Sequence, residues 1–147
     1  MGADEVLLDV DHIGIAVSAL TTAVAEYRAA LRVEPVHREV VQDQGVEEVF
    51  FRTGSSFIQL LGALGPDTPV GRFLARRGEG LHHVAYRVRG IEEALDRLRA
   101  AGVPLIDEAP RSGSRGTRIA FVHPKGLHGV LIELVQGPLN DRGLLTR

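Results

Sequence analysis

The first half of the chain begins with a segment in which apolar residues alternate with polar or small ones. Along residues 12–17, Ile and Val occupy every second position, and His12, Gly14 and Ala16 fall between them. This period of two predicts a β-strand whose branched apolar side chains share one face. His12 is therefore expected to point away from that face.

A helix and three more strands are predicted to follow. Leu20, Val24, Tyr27 and Leu31 recur at spacings of four, three and four, which is typical of a helix that covers a sheet with one apolar stripe. Ser18 is the expected N-cap of this helix, because a serine side chain can accept a hydrogen bond from the first turn. The strands are predicted at about residues 36–41, 46–53 and 57–61.

The second half follows the same plan. A strand is predicted at about residues 81–88, a helix at 91–101, and further strands near Leu105, at 117–122 and at 130–136. Residues 111–116, which contain two glycines and two serines, are expected to form a flexible connection. Between the halves, Val70, Phe73 and Leu74 suggest a short helix in a linker.

The two halves align as an internal repeat. Residues 11–17 correspond to residues 82–88 at an offset of 71, whereas residues 57–61 correspond to residues 131–135 at an offset of 74. About three additional residues must therefore lie between the last two strands of the second half, where a hairpin connection tolerates insertion.

Four potential metal ligands occupy equivalent positions in this repeat. His12 corresponds to His83, and Gln59 corresponds to Glu133. If the halves pack face to face, each contributes one imidazole and one side-chain oxygen to a mixed nitrogen and oxygen site. His82 must point to the other side of its strand, so only His83 can join. Glu133 lies in an apolar run, where a cation offsets the cost of burying a carboxylate.

Composition indicates one domain. The 147 residues, 44% of them hydrophobic, suffice for one core. We therefore expect a single domain spanning residues 1–147, with repeat halves at about 8–62 and 80–137 and a linker at 63–79.

Charge and cysteine content exclude several classes of function. A net charge of −2 gives no basic surplus for nucleic-acid binding. The absence of cysteine rules out disulfides and thiolate ligands. No apolar run reaches the length of a membrane span, and no signal pattern opens the chain, so a cytoplasmic protein without membrane or nucleic-acid partners is expected.

The motifs resemble those of the vicinal-oxygen-chelate (glyoxalase, bleomycin-resistance and dioxygenase) superfamily and, within it, the methylmalonyl-CoA epimerases. The resemblance runs from about Val10 to Gln136. The motif at residues 11–17 marks the superfamily, whereas the later motifs are closer to the epimerases; these lie at residues 45–48, 80–85, 123–125 and 129–134.

This resemblance implies a fold and a site. It implies an α+β protein in which two tandem βαβββ modules form a cup-shaped, eight-stranded mixed sheet around one divalent metal ion per chain, most often Co²⁺. It further implies that His12, Gln59, His83 and Glu133 are the ligands, and that the protein is a homodimer.

The implied reaction is the metal-dependent epimerisation of methylmalonyl-CoA, or of a similar 2-substituted malonyl-CoA, between its (2R) and (2S) forms. A carboxylate removes the α-proton from one face, the metal stabilises the resulting enolate, and a protonated carboxyl group delivers a different proton to the opposite face. The resemblance points to Glu48 and Glu133 for these roles. Glu48 corresponds to Ile119 at the offset of 71, so the repeat alone does not require a carboxylate there.

Three other functions are compatible with the same fold. A lyase similar to glyoxalase I would also stabilise an enolate with a metal. If Gln59 is not a ligand, His12, His83 and Glu133 would form the two-histidine, one-carboxylate arrangement of iron-dependent dioxygenases. A ligand-binding protein without catalysis is the third alternative.

The CoA moiety has no clear signature in the sequence. Arg111, Arg115, Arg118 and Lys125 lie near the last strands and are candidates for contact with its phosphates. Scattered cations are more often solvated surface residues, and no phosphate-binding glycine motif is present.

Overall fold

The computed structural model describes residues 5–137, which contain eight strands and three α-helices. In chain order these are β1 (Leu7–Ala16), α1 (Leu20–Leu31), β2 (Pro35–Val41), β3 (Val46–Thr53), β4 (Ser56–Ala63), α2 (Pro69–Arg77), β5 (Gly80–Val88), α3 (Ile91–Ala100), β6 (Arg111–Ser112), β7 (Arg118–Val122) and β8 (Ile132–Gln136). None of the helices in this part of the chain is long and apolar enough to cross a membrane.

The strands form one sheet in the order β2-β3-β4-β1-β5-β8-β7-β6. The pairs β1–β4 and β5–β8 are parallel, whereas β2–β3, β3–β4, β6–β7 and β7–β8 are antiparallel. The predicted α+β class and eight-stranded mixed sheet are therefore confirmed. Contacts divide the chain into a first unit, His12–His82, and a second unit made of the residues up to Asp11 and from His83 onward. The domain and linker boundaries given above stay predictions.

In the first unit, α1 packs on one face of the sheet. Leu20 and Val24 of the helix contact a buried cluster that includes Val49, Phe51 and Leu60. These strand residues alternate with the side chains of the opposite face, as the period of two requires. The apolar stripe of α1 thus determines which face of β3 and β4 remains for polar groups.

The predicted N-cap of α1 was wrong. Ala19 is the N-cap, and no side chain caps the helix. Because α1 begins at Leu20, Ser18 lies one position too early to cap it. The Ser18 backbone N–H instead donates to Glu79 Oε2 at 2.8 Å.

In the second unit, α3 packs on the sheet in the same way. Ile91 and Leu95 contact a buried cluster that includes Val88, Ala120 and Leu134. The helix begins one residue after Gly90, with Glu92 and Glu93 in its first turn, where acidic side chains complement the helix dipole.

The strand predicted near Leu105 was wrong. Leu105 forms only an isolated bridge to Val122, because the Ile106 and Asp107 N–H groups both donate to the Phe121 carbonyl and interrupt regular pairing. The edge strand β6 forms instead at Arg111–Ser112, inside the segment expected to be a flexible connection.

The repeat extends to the pairing register of the strands. Phe50 pairs with Gln59 across β3 and β4, and Phe121 pairs with Glu133 across β7 and β8. These partners differ by the offsets of 71 and 74 found in the sequence. Gln59 follows Phe50 by nine residues and Glu133 follows Phe121 by twelve, so the three additional residues lie between β7 and β8, as the sequence predicts.

Candidate functional site

In the first unit, the sheet face opposite α1 carries buried polar side chains. Solvent exposure is 2% for His12, 2% for Glu48 and 4% for Gln59. The register explains why they share a face: Gln59 pairs with Gly14 of β1 and Phe50 of β3, and residues directly opposite each other point the same way. His12 and Glu48 lie two residues from these partners, so they point to that face as well.

Glu48 and Gln59 form a hydrogen-bonded pair on this face. Gln59 Nε2 donates to Glu48 Oε2 at 2.6 Å. This bond sets the orientation of the amide, because only its nitrogen can donate to a carboxylate. Gln59 Oε1 then faces elsewhere and has no hydrogen-bond partner within residues 5–137. A buried amide oxygen without a hydrogen-bond partner is suited to binding a cation.

In the second unit, the sheet face opposite α3 carries His83 and Glu133, which are 3% and 5% exposed. They lie on the parallel strands β5 and β8, where Glu133 pairs with Ala85. His83 Nε2 is 3.5 Å from Glu133 Oε1. Each unit thus buries one imidazole and one candidate oxygen ligand on the same face of its part of the sheet.

Three of the predicted ligands form a group that can hold a metal ion. One ligand atom from each of His12, His83 and Glu133 lies within 4.8 Å of the others, and all three residues are buried. Two imidazole nitrogens and one carboxylate oxygen are a donor set that binds divalent transition metals. This donor set and the buried Gln59 Oε1 both fit a bound metal ion.

His82 has a different environment from His83. Its ring packs against Phe73 of α2 with centroids 4.9 Å apart, and the residue is only partly buried. The alternation along β5 therefore separates two adjacent histidines, as the sequence pattern predicts.

Each buried imidazole also contacts a buried phenylalanine ring edge to face. The ring centroids of His12 and Phe50 are 5.4 Å apart at an interplanar angle of 89°, and those of His83 and Phe121 are 5.9 Å apart at 84°. Sequence reasoning missed these two residues, although Phe50 and Phe121 are separated by the same 71 positions as the histidines.

A largely buried ionic network lies within the second unit. Arg87 donates to Asp11 Oδ1 at 2.8 Å and to Asp9 Oδ2 at 3.2 Å, and Arg115 donates to Asp11 Oδ2 at 2.5 Å. Asp11 is 3% exposed and Arg87 8% exposed, so the opposite charges offset each other's desolvation. Nothing in the sequence pattern predicts this network beyond the presence of Asp11 in the first motif.

Three of the four candidate phosphate contacts have acidic partners. Arg115 pairs with Asp11, Arg111 with Asp107 and Arg118 with Glu92. The Arg118 guanidinium lowers the pKa of the exposed Glu92 carboxyl. Lys125 is exposed. The three arginines therefore already form ion pairs within the chain.

Comparison with known proteins shows extended similarity. The chain is 41% identical over 132 residues to the uncharacterized protein YqjC of Bacillus subtilis, covering 90% of this chain and 94% of that protein. It is 37% identical over 128 residues to the ethylmalonyl-CoA/methylmalonyl-CoA epimerase of Cereibacter sphaeroides, covering 86% and 96%.

A solved structure and a family model agree with these relatives. The structure of a methylmalonyl-CoA epimerase in complex with methylmalonyl-CoA and NH4+ is 39% identical, with a TM-score of 0.88 over 95% of this chain and 99% of that one. The family model described as Glyoxalase/Bleomycin resistance protein/Dioxygenase superfamily matches residues 11–121. The model matches three quarters of the chain, and the strand pairing of the first unit is repeated in the second. The chain therefore belongs to the Glyoxalase/Bleomycin resistance protein/Dioxygenase superfamily.

Proposed function

We propose that the protein epimerises methylmalonyl-CoA, or a similar 2-substituted malonyl-CoA, between its (2R) and (2S) forms with the help of a divalent metal ion. The observation that carries this proposal is the buried Glu48 carboxylate held at 2.6 Å by the Gln59 amide. It places a group that can exchange a proton beside a candidate metal ligand. The epimerase relatives, similar along nearly their whole length, support the same reaction.

We assign His12, Gln59, His83 and Glu133 as the ligands of the metal. With Glu133 ionised, two neutral imidazoles, one amide and one carboxylate leave about one net positive charge on a divalent ion; with Glu133 protonated they leave about two. When bound, the ion supplies positive charge that stabilises the negative charge developing on the substrate oxygens. Co²⁺ as the metal, a homodimer and a cytoplasmic location stay predictions.

The chain's own carboxylates then move the proton. The α-carbon of methylmalonyl-CoA lies between a thioester and a carboxylate, so its C–H electron pair can delocalise into the thioester carbonyl when the proton leaves. We assign Glu48 to accept this proton on one face of the carbon and Glu133 to donate a proton on the other. The roles reverse in the opposite direction, and no net charge is gained or lost.

Burial and hydrogen bonding prepare Glu48 for this role. Gln59 binds its Oε2 and so holds the carboxylate plane in one orientation. The exposure of 2% keeps bulk water away from the carboxylate, which protects the carbanionic substrate from random protonation. Stereochemical inversion requires such control, because each face must exchange with one specific side chain.

The proposal is tested by proton NMR in deuterium oxide with methylmalonyl-CoA. We expect the α-hydrogen signal of both stereoisomers to disappear with metal-loaded protein, to persist after chelation, and to disappear again when Co²⁺ is restored. Persistence of the signal with metal-loaded protein would refute the proposed reaction.

A further inference from the structure

Two phenylalanines occupy equivalent positions beside the two histidines. Phe50 contacts the His12 ring in the first unit, and Phe121 contacts the His83 ring in the second. Both contacts are nearly perpendicular, and both pairs are related by the offset of 71. A contact that occurs in both copies of a duplicated structure, with the same geometry, indicates a shared role.

The register places each phenylalanine opposite an oxygen ligand as well. Phe50 is the cross-strand partner of Gln59, and Phe121 is the partner of Glu133. Directly paired residues have Cβ atoms about 5 Å apart, so each ring lies alongside both candidate ligands of its own unit. Phe50 is completely buried, and Phe121 is 8% exposed.

We propose that Phe50 and Phe121 are positioning residues that hold the His12 and His83 imidazoles in the orientation required for metal binding. This inference rests on the proposed function, because it assumes that both histidines are ligands. An edge-to-face contact favours one ring orientation through the quadrupoles of the two rings. A rigid ring beside the imidazole also excludes rotamers that would turn its nitrogen away from the ion.

Phe51 provides the contrast within the same strand. It follows Phe50 directly and is equally buried, but it points to the other face, where it stacks on Tyr27 with centroids 5.8 Å apart. Phe51 therefore contributes to packing against α1 without contacting a candidate ligand. A substitution at Phe51 measures the cost of losing a buried ring from β3, separately from any effect on a histidine.

The test compares F50L and F121L with F51L and the wild type. Chelator-treated protein is titrated with Co²⁺ by calorimetry, the visible absorption spectrum of the Co²⁺ form is recorded, and thermal unfolding of the metal-free form is followed by circular dichroism. We expect F50L and F121L each to weaken Co²⁺ binding by about tenfold and to alter the Co²⁺ absorption bands. F51L should lower the unfolding temperature while leaving Co²⁺ affinity and spectrum unchanged.

Several results would overturn the inference. The inference is wrong if F50L and F121L have the same Co²⁺ affinity and spectrum as the wild type. It is also wrong if F51L loses as much Co²⁺ affinity as F50L and F121L do. F50M and F121M keep most of the volume without the ring, so they provide the same comparison where a leucine variant does not fold. If the wild type binds neither Co²⁺ nor another divalent transition-metal ion, the proposed function fails together with the inference. Normal wild-type binding with unaffected variants removes the inference alone.

Discussion

At the scale of single residues, the different environments of Glu47 and Glu48 show how one strand separates a surface carboxylate from a candidate catalytic one. The two carboxylates are adjacent on β3 but point to opposite faces. Glu47 is partly exposed and pairs with Arg38 at 2.9 Å, as many surface carboxylates do. Glu48 is buried and bonded to an amide. The pleat of one strand thus separates a surface charge from a candidate proton acceptor.

Replacing Glu48 with glutamine should abolish most of the catalysis. E48Q keeps the size of the side chain but cannot accept the α-proton, so we expect epimerisation and α-hydrogen exchange to fall by about 10²-fold or more, with Co²⁺ still bound. E47Q is the matched control and should retain activity close to that of the wild type. Normal exchange of both stereoisomers by E48Q would remove Glu48 from the mechanism.

Replacing Gln59 with glutamate should also lower turnover. Q59E places a second carboxylate against Glu48 Oε2, which the amide now contacts at 2.6 Å, and it reduces the net positive charge of the site. We expect a lower rate of epimerisation by protein that still contains one metal ion per chain. Metal analysis and kinetics on the same sample provide the measurement, and unchanged turnover at full metal content would contradict the role assigned to Gln59.

At the scale of elements, α2 depends on a close backbone approach. Gly71 is buried in the helix, and a Cβ atom at this position would lie 2.3 Å from the Gly65 carbonyl oxygen. Thr68 caps the same helix, since its side chain accepts a hydrogen bond from the Gly71 N–H at 3.1 Å. The turn that precedes α2 is therefore fitted directly against its first residues.

Gly71→Ala should destabilise the protein, although alanine is the better helix former. The clash involves backbone on both sides and cannot be relieved by a rotamer change, so we expect a loss of about 1–3 kcal/mol in the free energy of unfolding. Chemical denaturation provides the measurement. Arg76→Ala, at an exposed position of α2, should change stability by less than about 0.5 kcal/mol. A G71A variant as stable as the wild type would show that the backbone of the turn before α2 can move to accommodate the added methyl group at little cost in free energy.

The elements also show what sequence patterns can and cannot predict. Periodicity located α1, β3, β4, β5 and α3, because each buries a regular apolar stripe or face. It failed at Ser18 and Leu105, where the outcome depends on individual hydrogen bonds from distant residues. The Ser18 N–H bonds to Glu79, and the pairing of Leu105 ends where two N–H groups share the Phe121 carbonyl. No local pattern encodes such partners.

At the scale of the whole molecule, metal binding should contribute to stability. An ion bound only by the folded state raises the free energy of unfolding by about 2.7 kcal/mol at a concentration one hundred times its Kd. We therefore expect Co²⁺ to raise the unfolding temperature of the chelator-treated wild type. The same increase is expected for H82A, which lacks the ring that contacts Phe73 in the wild type. H83A should show little increase. An equal increase in H82A and H83A would contradict the assignment of His83 as a ligand.

Duplication made the four candidate ligands predictable from one sequence. His12 alone is an ordinary strand histidine, but its pairing with His83 at a fixed offset gives a strong indication of a shared site. Glu48 has no equivalent carboxylate in the second half, so only family resemblance pointed to it. The network of Asp11, Arg87 and Arg115 joins residues from three separate segments, and nothing in their spacing could have predicted it.

The unequal connections between paired strands have a practical consequence. The difference between the offsets of 71 and 74 falls entirely between β7 and β8, outside the strands that carry the donor atoms. Chain length has therefore changed here without shifting Glu133 out of register. The exposed Lys125 lies in this connection, so a fluorescent label attached there would lie outside the strands that carry the donor atoms.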